Sequence, residues 1–250
     1  MSRPVIAAIA AFAAVVLPAV SIAMSLSPVV IDLRPGGRAA TQTIVVQNTR
    51  DHPIPVEMRT EGIDLGLQGA RGNGVTTDDL LVFPAQAMIQ PGQSQTFRVQ
   101  YVGEPGLARS RHYYVTAAQL PVQLGREQTG VQVLYNLQVL VSVAPRVGEA
   151  DLKVVEAGVG RDAEGRPAPV VTVSNSSPVH GYLSRGRLTV VQRDSSGRET
   201  LRREFSGPEI QQTVGYGLVG GEGTRIFTLP MALPAEGGTL EARFHPEPRS

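Results

Sequence analysis

"GVQVLYNLQVLVSVAP", residues 130–145, is the stretch on which the reading of this chain turns. Its odd positions are Val131, Val133, Tyr135, Leu137, Val139, Val141 and Val143, all apolar. They alternate with a more polar set that includes Gln132, Asn136, Gln138 and Ser142. Side chains of a strand leave alternate faces, so this pattern reads as a β-strand with one fully apolar face. The strand is also long. A typical strand spans roughly 20 Å, whereas this one would span on the order of 40 Å. A small sandwich has no room to bury that much of one strand. Either the whole strand lies in its own sandwich, or part of it pairs elsewhere.

The residues on both sides repeat the β pattern. "PVVIDL" is followed by "RPGG", and "TQTIVVQN" by "TRDHP". "SQTFRVQYV" lies between "QPGQ" and "GEPG", and "HYYVTAAQLPV" precedes the long strand. Further on, "DLKVVEAGV", "APVVTVSN", "GRLTVVQRD", "TRIFTLPM" and "TLEARFHP" alternate with the turns "DAEGRP", "DSSGRE" and "PAEGG". Short strands separated by turn residues, with no long amphipathic helix, predict antiparallel sandwiches. One local echo links the halves. "TIVVQNTRDHPIPVEM" and "VVTVSNSSPVHGYL" each place an apolar strand before an Asn (Asn48, Asn175) and then a turn with Pro (Pro53, Pro178). The expected fold class is all-β, with two related sandwich domains over 24–145 and 150–250. The boundary falls at "APRVGEAD", residues 144–151.

Composition narrows the setting. The 250 residues suffice for one large domain or two ordinary ones. Residues 1–23, "MSRPVIAAIAAFAAVVLPAVSIA", carry one charge (Arg3), an apolar run interrupted by Pro18, and the small-x-small end Ser21-Ile22-Ala23. This predicts an export signal cleaved after Ala23 rather than a membrane anchor, and no membrane insertion afterwards. Without Arg3 the basic count falls from 23 to 22, equal to the acidic count, which argues against nucleic acid as a partner. The chain has no cysteine, so it has neither disulfides nor thiolate chemistry, and core burial must hold it together.

Catalytic signals are missing. His52, His112, His180 and His245 show no metal-ligand spacing, and the expected role for each is surface or structural. The Gly-rich "GLQGARGNG" (66–74) and "GLVGGEG" (217–223) precede no helical pattern, so both read as loops and not as phosphate cradles. Asp78-Asp79 is a lone acidic pair, and neither G-x-S-x-G nor H-E-x-x-H occurs. The expectation is a binding protein with no catalytic residue, no metal and no cofactor.

One region carries a family resemblance. In residues 78–122 an apolar-Pro segment ("LLVFPAQAMI") leads to a Pro-Gly turn ("QPGQ"). A strand with an Arg ("TFRVQY"), a basic segment before a tyrosine-containing strand ("RSRHYYV") and a Leu-Pro ending ("QLPV") follow. Together with the long strand, this order resembles the periplasmic pilus and fimbrial assembly chaperones of the chaperone–usher pathway. The second half is similar mainly in style, through "VTVSN" and "VGYGLVGG". The resemblance implies two immunoglobulin-like domains set as an L, a periplasmic location, pilin subunits and an outer-membrane usher as partners, and no enzymatic activity. It implies that the long strand fills the groove of a subunit lacking its last strand. Val131, Val133, Tyr135 and Leu137 would be the lent side chains, and Leu137 to Val143 would stay in the chain's own sheet. Between residues 122 and 130 the resemblance implies a flexible loop, and the polar "VQLGREQTG" would stay mobile until a subunit binds.

There is one departure from the family pattern. Family members hold the subunit's C-terminal carboxylate with a basic pair, and those positions fall near Val30 and Leu140, both apolar here. The anchor is therefore missing or moved, which resembles the archaic branch. Arg98 and Arg111, on neighbouring predicted strands, are the candidates for a moved anchor. A secreted β-sandwich structural subunit, pilin or adhesin, and a carbohydrate-binding module are the competing readings. The first would need an N-terminal donor extension. The second would need stacking aromatics, but Trp is absent.

Overall fold

A computed structural model describes residues 24–121, 133–234 and 238–247. The expected export signal, the polar stretch 122–130 and Val131 lie outside the described residues. The chain folds into two β-sandwich domains, as the strand pattern predicts, each around its own apolar core.

The first domain contains β1 (Met24–Ser27), β2 (Val30–Leu33), β3 (Thr41–Asn48), β4 (Ile54–Leu65), β5 (Ala70–Thr76), β6 (Leu80–Phe83), β7 (Gln86–Ile89), β8 (Ser94–Tyr101), β9 (Arg111–Gln119) and β10 (Asn136–Val143). One sheet runs β1-β3-β8-β6, and the facing sheet runs β2-β10-β9-β4-β5 with β7 also on β4. Alternation explains the core. Ile44 and Val46 of β3 and Phe97 and Val99 of β8 face Ile31, Leu33, Val56, Val115, Val139, Val141 and Val143 of the other sheet. The second domain contains β11 (Leu152–Arg161), β12 (Pro167–Asn175), β13 (Gly181–Tyr182), β14 (Gly186–Arg193), β15 (Glu199–Phe205), α1 (Gly207–Val214), β16 (Leu218–Val219), β17 (Thr224–Thr228) and β18 (Thr239–Pro246). Its sheets run β11-β12-β17, β13-β16 and β15-β14-β18. The two-turn helix α1 is set by a cap: the Ser206 backbone N–H donates to Glu209 at 2.8 Å, and Ile210 is buried beneath.

Two loop readings are corrected. The segment "GLQGARGNG" is mostly strand: Ala70–Thr76 pairs with β4, and only the turn around Gly66 and Gly69 is loop. Its residues are mostly polar or glycine and lie exposed on the outer edge of the sheet, so no apolar alternation marks them. In "GLVGGEG", Leu218 and Val219 form the short β16 against β13 and are buried.

The Asn48–Asn175 echo has a structural basis. Asn48 Nδ2 donates to the carbonyls of His52 (2.8 Å) and Ile89 (3.0 Å), and its Oδ1 accepts from the Arg50 N–H (2.8 Å). Asn175 Nδ2 donates to Val179 (2.8 Å) and Gly220 (2.9 Å), and its Oδ1 accepts from Ser177 N–H (3.2 Å). Both asparagines are buried. Each therefore locks the same turn at a strand end by satisfying backbone groups that would otherwise be orphaned.

Replacing Asn48 by Leu leaves two carbonyls and an N–H without their partner, and replacing Asn175 leaves two carbonyls and the N–H groups of Asp151 and Ser177. Each change should lower the unfolding free energy by about 2–4 kcal/mol in urea denaturation. A change below about 0.5 kcal/mol at either position would show that the turn does not depend on the side chain.

Candidate functional site

β10 has unequal neighbours. On one side it pairs antiparallel with β9 over its full length, from Asn136 opposite Ala118 to Val143 opposite Arg111. On the other side it pairs parallel with β2 only from Leu140 to Val143. The amides of Leu140 and Ala144 donate to Val29 and Leu33, so even-numbered residues present their backbone groups to that side. Asn136 and Gln138 therefore face an edge without a strand among the described residues. Residues 133–135 precede β10 outside any strand. Val133 is 56 % exposed, and Tyr135 and Leu137 are half-buried at the rim of the core. The odd-numbered face thus runs without a break from the fully buried Val139, Val141 and Val143 to an open end.

Val30 and Leu140 are direct cross-strand partners. Leu140 is in turn opposite Tyr114 on β9. These side chains lie on the sheet face turned away from the core, since Ile31, Val115 and Val141 point inward.

Arg98 and Arg111 do not stand on adjacent strands. β8 and β9 are consecutive in sequence but lie in opposite sheets, because the segment between them crosses the sandwich. Arg98 is exposed between Thr43 and Phe83. Arg111 is held by Asp79 (3.2 Å) and Glu104 (3.1 Å). Asp79 also accepts from the Tyr113 hydroxyl at 2.5 Å, so the residue read as part of a lone acidic pair closes a small network.

The two domains meet at polar groups that are far apart in sequence. His180 Nε2 lies 2.9 Å from Asp32 Oδ1, and its Nδ1 lies 2.9 Å from Ser110 Oγ. The Tyr182 hydroxyl donates to Asp32 at 2.8 Å, and Arg185 pairs with Asp32 while stacking on the Tyr182 ring. His112 Nδ1 lies 2.9 Å from Ser142 Oγ, its ring 5.3 Å edge-on from that of His180. Sequence spacing could not reveal this pairing of histidines. Burial alone would raise the Asp32 carboxyl, but the hydrogen bonds and charges of His180 and Arg185 hold it well below the usual range. Burial, with His180 nearby, pushes His112 down to about 3. Beside this network the domains enclose a cleft of about 710 Å³, lined by Arg109, Arg111 and His112 from one side and Gly221, Glu222 and Arg225 from the other. From the tip of the β4–β5 hairpin, the Leu67 carbonyl accepts the Ile226 N–H at 2.7 Å, so the hairpin also touches β17. No group of His, Asp and Glu among the described residues could hold a metal ion.

The architecture is an immunoglobulin-like sandwich joined to a second sandwich across a cleft. Residues 24–147 match the family described as pili and flagellar-assembly chaperone, PapD N-terminal domain, and the chain belongs to that family. Solved structures share the fold over most of both chains. A chain of the Salmonella enterica SafA pilin–SafB chaperone complex matches with TM-score 0.53 and 15% identity, covering 83% of this chain and 84% of that one. A chain of the CFA/I chaperone–tip adhesin complex matches with TM-score 0.51 and 12% identity, covering 91% and 93%. The E. coli chaperone DraB matches with TM-score 0.50 and 14% identity, covering 83% and 84%. No curated protein matches by sequence.

The interdomain histidines give a pH prediction. Below its ordinary value of 6.5 the unfolded chain protonates His112, while the folded chain resists until about 3, so stability falls as pH falls through that window. Asp32 acts in the same direction, but only once pH drops below its ordinary value of 3.8. Between pH 7.5 and pH 5 the folded state should lose about 2 kcal/mol through His112 alone, read as a lower urea midpoint. His112→Gln should flatten that dependence. An identical pH slope in the variant would refute the assignment.

Proposed function

We propose that this chaperone captures pilin subunits by lending them the open half of its long strand. The single observation that carries the reading is the edge of β10 at Asn136 and Gln138, which no strand of the described residues pairs, preceded by the exposed Val133. An open edge supplies backbone hydrogen bonds to an added strand, and alternate side chains supply the specificity. Val131, Val133, Tyr135 and Leu137 are the side chains assigned to the subunit's groove. Tyr135 and Leu137 already lean on the chaperone's core, so chaperone and subunit cores would become continuous. Burying each aliphatic side chain stabilises the complex by roughly 1.5–3 kcal/mol, enough for a few of them to dominate binding.

On this reading the protein acts in the periplasm, is not an enzyme, uses no cofactor, and passes subunits to an outer-membrane usher. The domain division falls at residues 144–151. The apolar pair Val30 and Leu140 supports placement in the archaic branch.

Val133→Asp is the clean test. The side chain is exposed, so the substitution should leave the urea midpoint within about 0.5 kcal/mol of the parent. It should nonetheless reduce recovery of a co-exported subunit in a periplasmic pull-down at least roughly tenfold. Full recovery would overturn the donor-strand assignment. Tyr135→Asp is less clean, because Tyr135 packs on the core and lies under Arg50, 5.3 Å from its ring centroid.

A further inference from the structure

β4 outruns its own sandwich. Its pairing with β9 ends at Gly62 opposite Tyr113, and from Ile63 to Leu65 its only strand neighbour among the described residues is β5. None of residues 59–76 belongs to either apolar core. The register slips between Glu61 and Ile63, and Gly74 takes the left-handed backbone at φ 70°. A two-stranded ribbon of this kind is marginal in water unless its end rests on something. Here the end rests on the second domain.

Two contacts seat it. Leu65 lies against Gly220, where a Cβ would come within 2.8 Å of the leucine Cδ1, so the bare glycine backbone is what admits the side chain. Gly220 is buried and its carbonyl accepts from Asn175 Nδ2 at 2.9 Å, so the seat belongs to the second domain's own frame. Two residues beyond Leu65, the Leu67 carbonyl accepts the Ile226 N–H at 2.7 Å. β17 has β12 on one side and no strand on the other among the described residues, so Leu67 satisfies a donor that an open edge leaves to water. Gly62, Ile63, Asp64 and Leu65 form one wall of the cleft of about 710 Å³. An element with no core residues, a slipped base and two contacts at its tip belongs to the low end of a protein's local stabilities.

We propose that the β4–β5 hairpin is a latch on the interdomain cleft, closed by the Leu65–Gly220 seat and the Leu67–Ile226 backbone bond, and that it swings open about Gly62 while both sandwiches stay folded. Opening removes the wall from Gly62 to Leu65 and joins the cleft to solvent on that side. The contacts of Asp32 with His180 and Tyr182 keep the domains together meanwhile. The inference does not rest on the donor-strand reading.

Native-state hydrogen exchange of the intact protein reads the latch through the Ile226 amide. The Leu229 amide, bonded to the Pro169 carbonyl at 2.8 Å within the second domain, is the reference. In the parent, urea below the unfolding transition should accelerate exchange at Leu229 and leave Ile226 unchanged, because a local opening exposes little surface. Equal urea dependence at the two amides would overturn the latch. Gly220→Val crowds the seat, and Leu65→Ala empties it without a clash. Each should speed Ile226 exchange at least roughly tenfold and leave Leu229 within about twofold of the parent. Ile226 exchange unmoved in both variants would overturn the seat, and if Gly220→Val does not fold, Leu65→Ala decides alone. The absence of cysteine allows spin labels at Gln68→Cys and Ser195→Cys, both exposed, to follow the swing itself. Either variant should broaden the distribution of label–label distances. An unchanged distribution beside faster Ile226 exchange would mean that the bond breaks without the hairpin moving, and would overturn the latch.

Discussion

A strand inside a sheet must find partners for the backbone groups on both of its edges, and among the described residues β10 does so for only half its length. From Leu140 to Val143 it is a central strand, flanked by β2 and β9. At Asn136 to Val139 it is an edge among the described residues. The reason is the shortness of β2, whose four residues end the pairing at Val30. The side chains follow the same division. Val139, Val141 and Val143 are sealed in the core, and the same face then emerges through Leu137 and Tyr135 to Val133. Open edges normally invite aggregation, and this one is both apolar and continuous with a core. Those are the properties needed to complete another sandwich.

The second domain is placed by polar contacts rather than by a shared core. Asp32 collects His180, Tyr182 and Arg185, while Ser110 and Ser142 hold the two histidine rings. Buried polar groups of this kind demand particular partners, so they favour one relative placement of the domains. The Leu67 carbonyl on β17 adds a backbone bond to the same junction. The cleft between the domains is therefore built, and Arg225 stands in its wall.

Much of the fold was legible in the sequence because burial on one face imposes alternation. β3 and β18 match the segments read from residues alone, and the asparagine echo marked a real repeated turn. The β4–β5 hairpin was not read, because its outer half leaves the sandwich and carries no apolar face. The pairing of His112 with His180 was hidden because the two rings come from different domains. The candidates drawn from sequence, Arg98 and Arg111, were chosen as neighbours, but the crossing between β8 and β9 separates them into opposite sheets.

The sequence by itself determined the class of fold, the one-faced apolar alternation of β10 (though the strand is only Asn136–Val143, shorter than the stretch 130–145 suggests), and the apolar character of Val30 and Leu140. These depend on local periodicity and residue type, which are written along the chain. Only the tertiary structure decided that Val30 and Leu140 are partners, that half of β10 has no second neighbour among the described residues, and that His112 and His180 meet. Those facts depend on which strands lie side by side and which groups two domains bring together, and that is a matter of long-range pairing and packing.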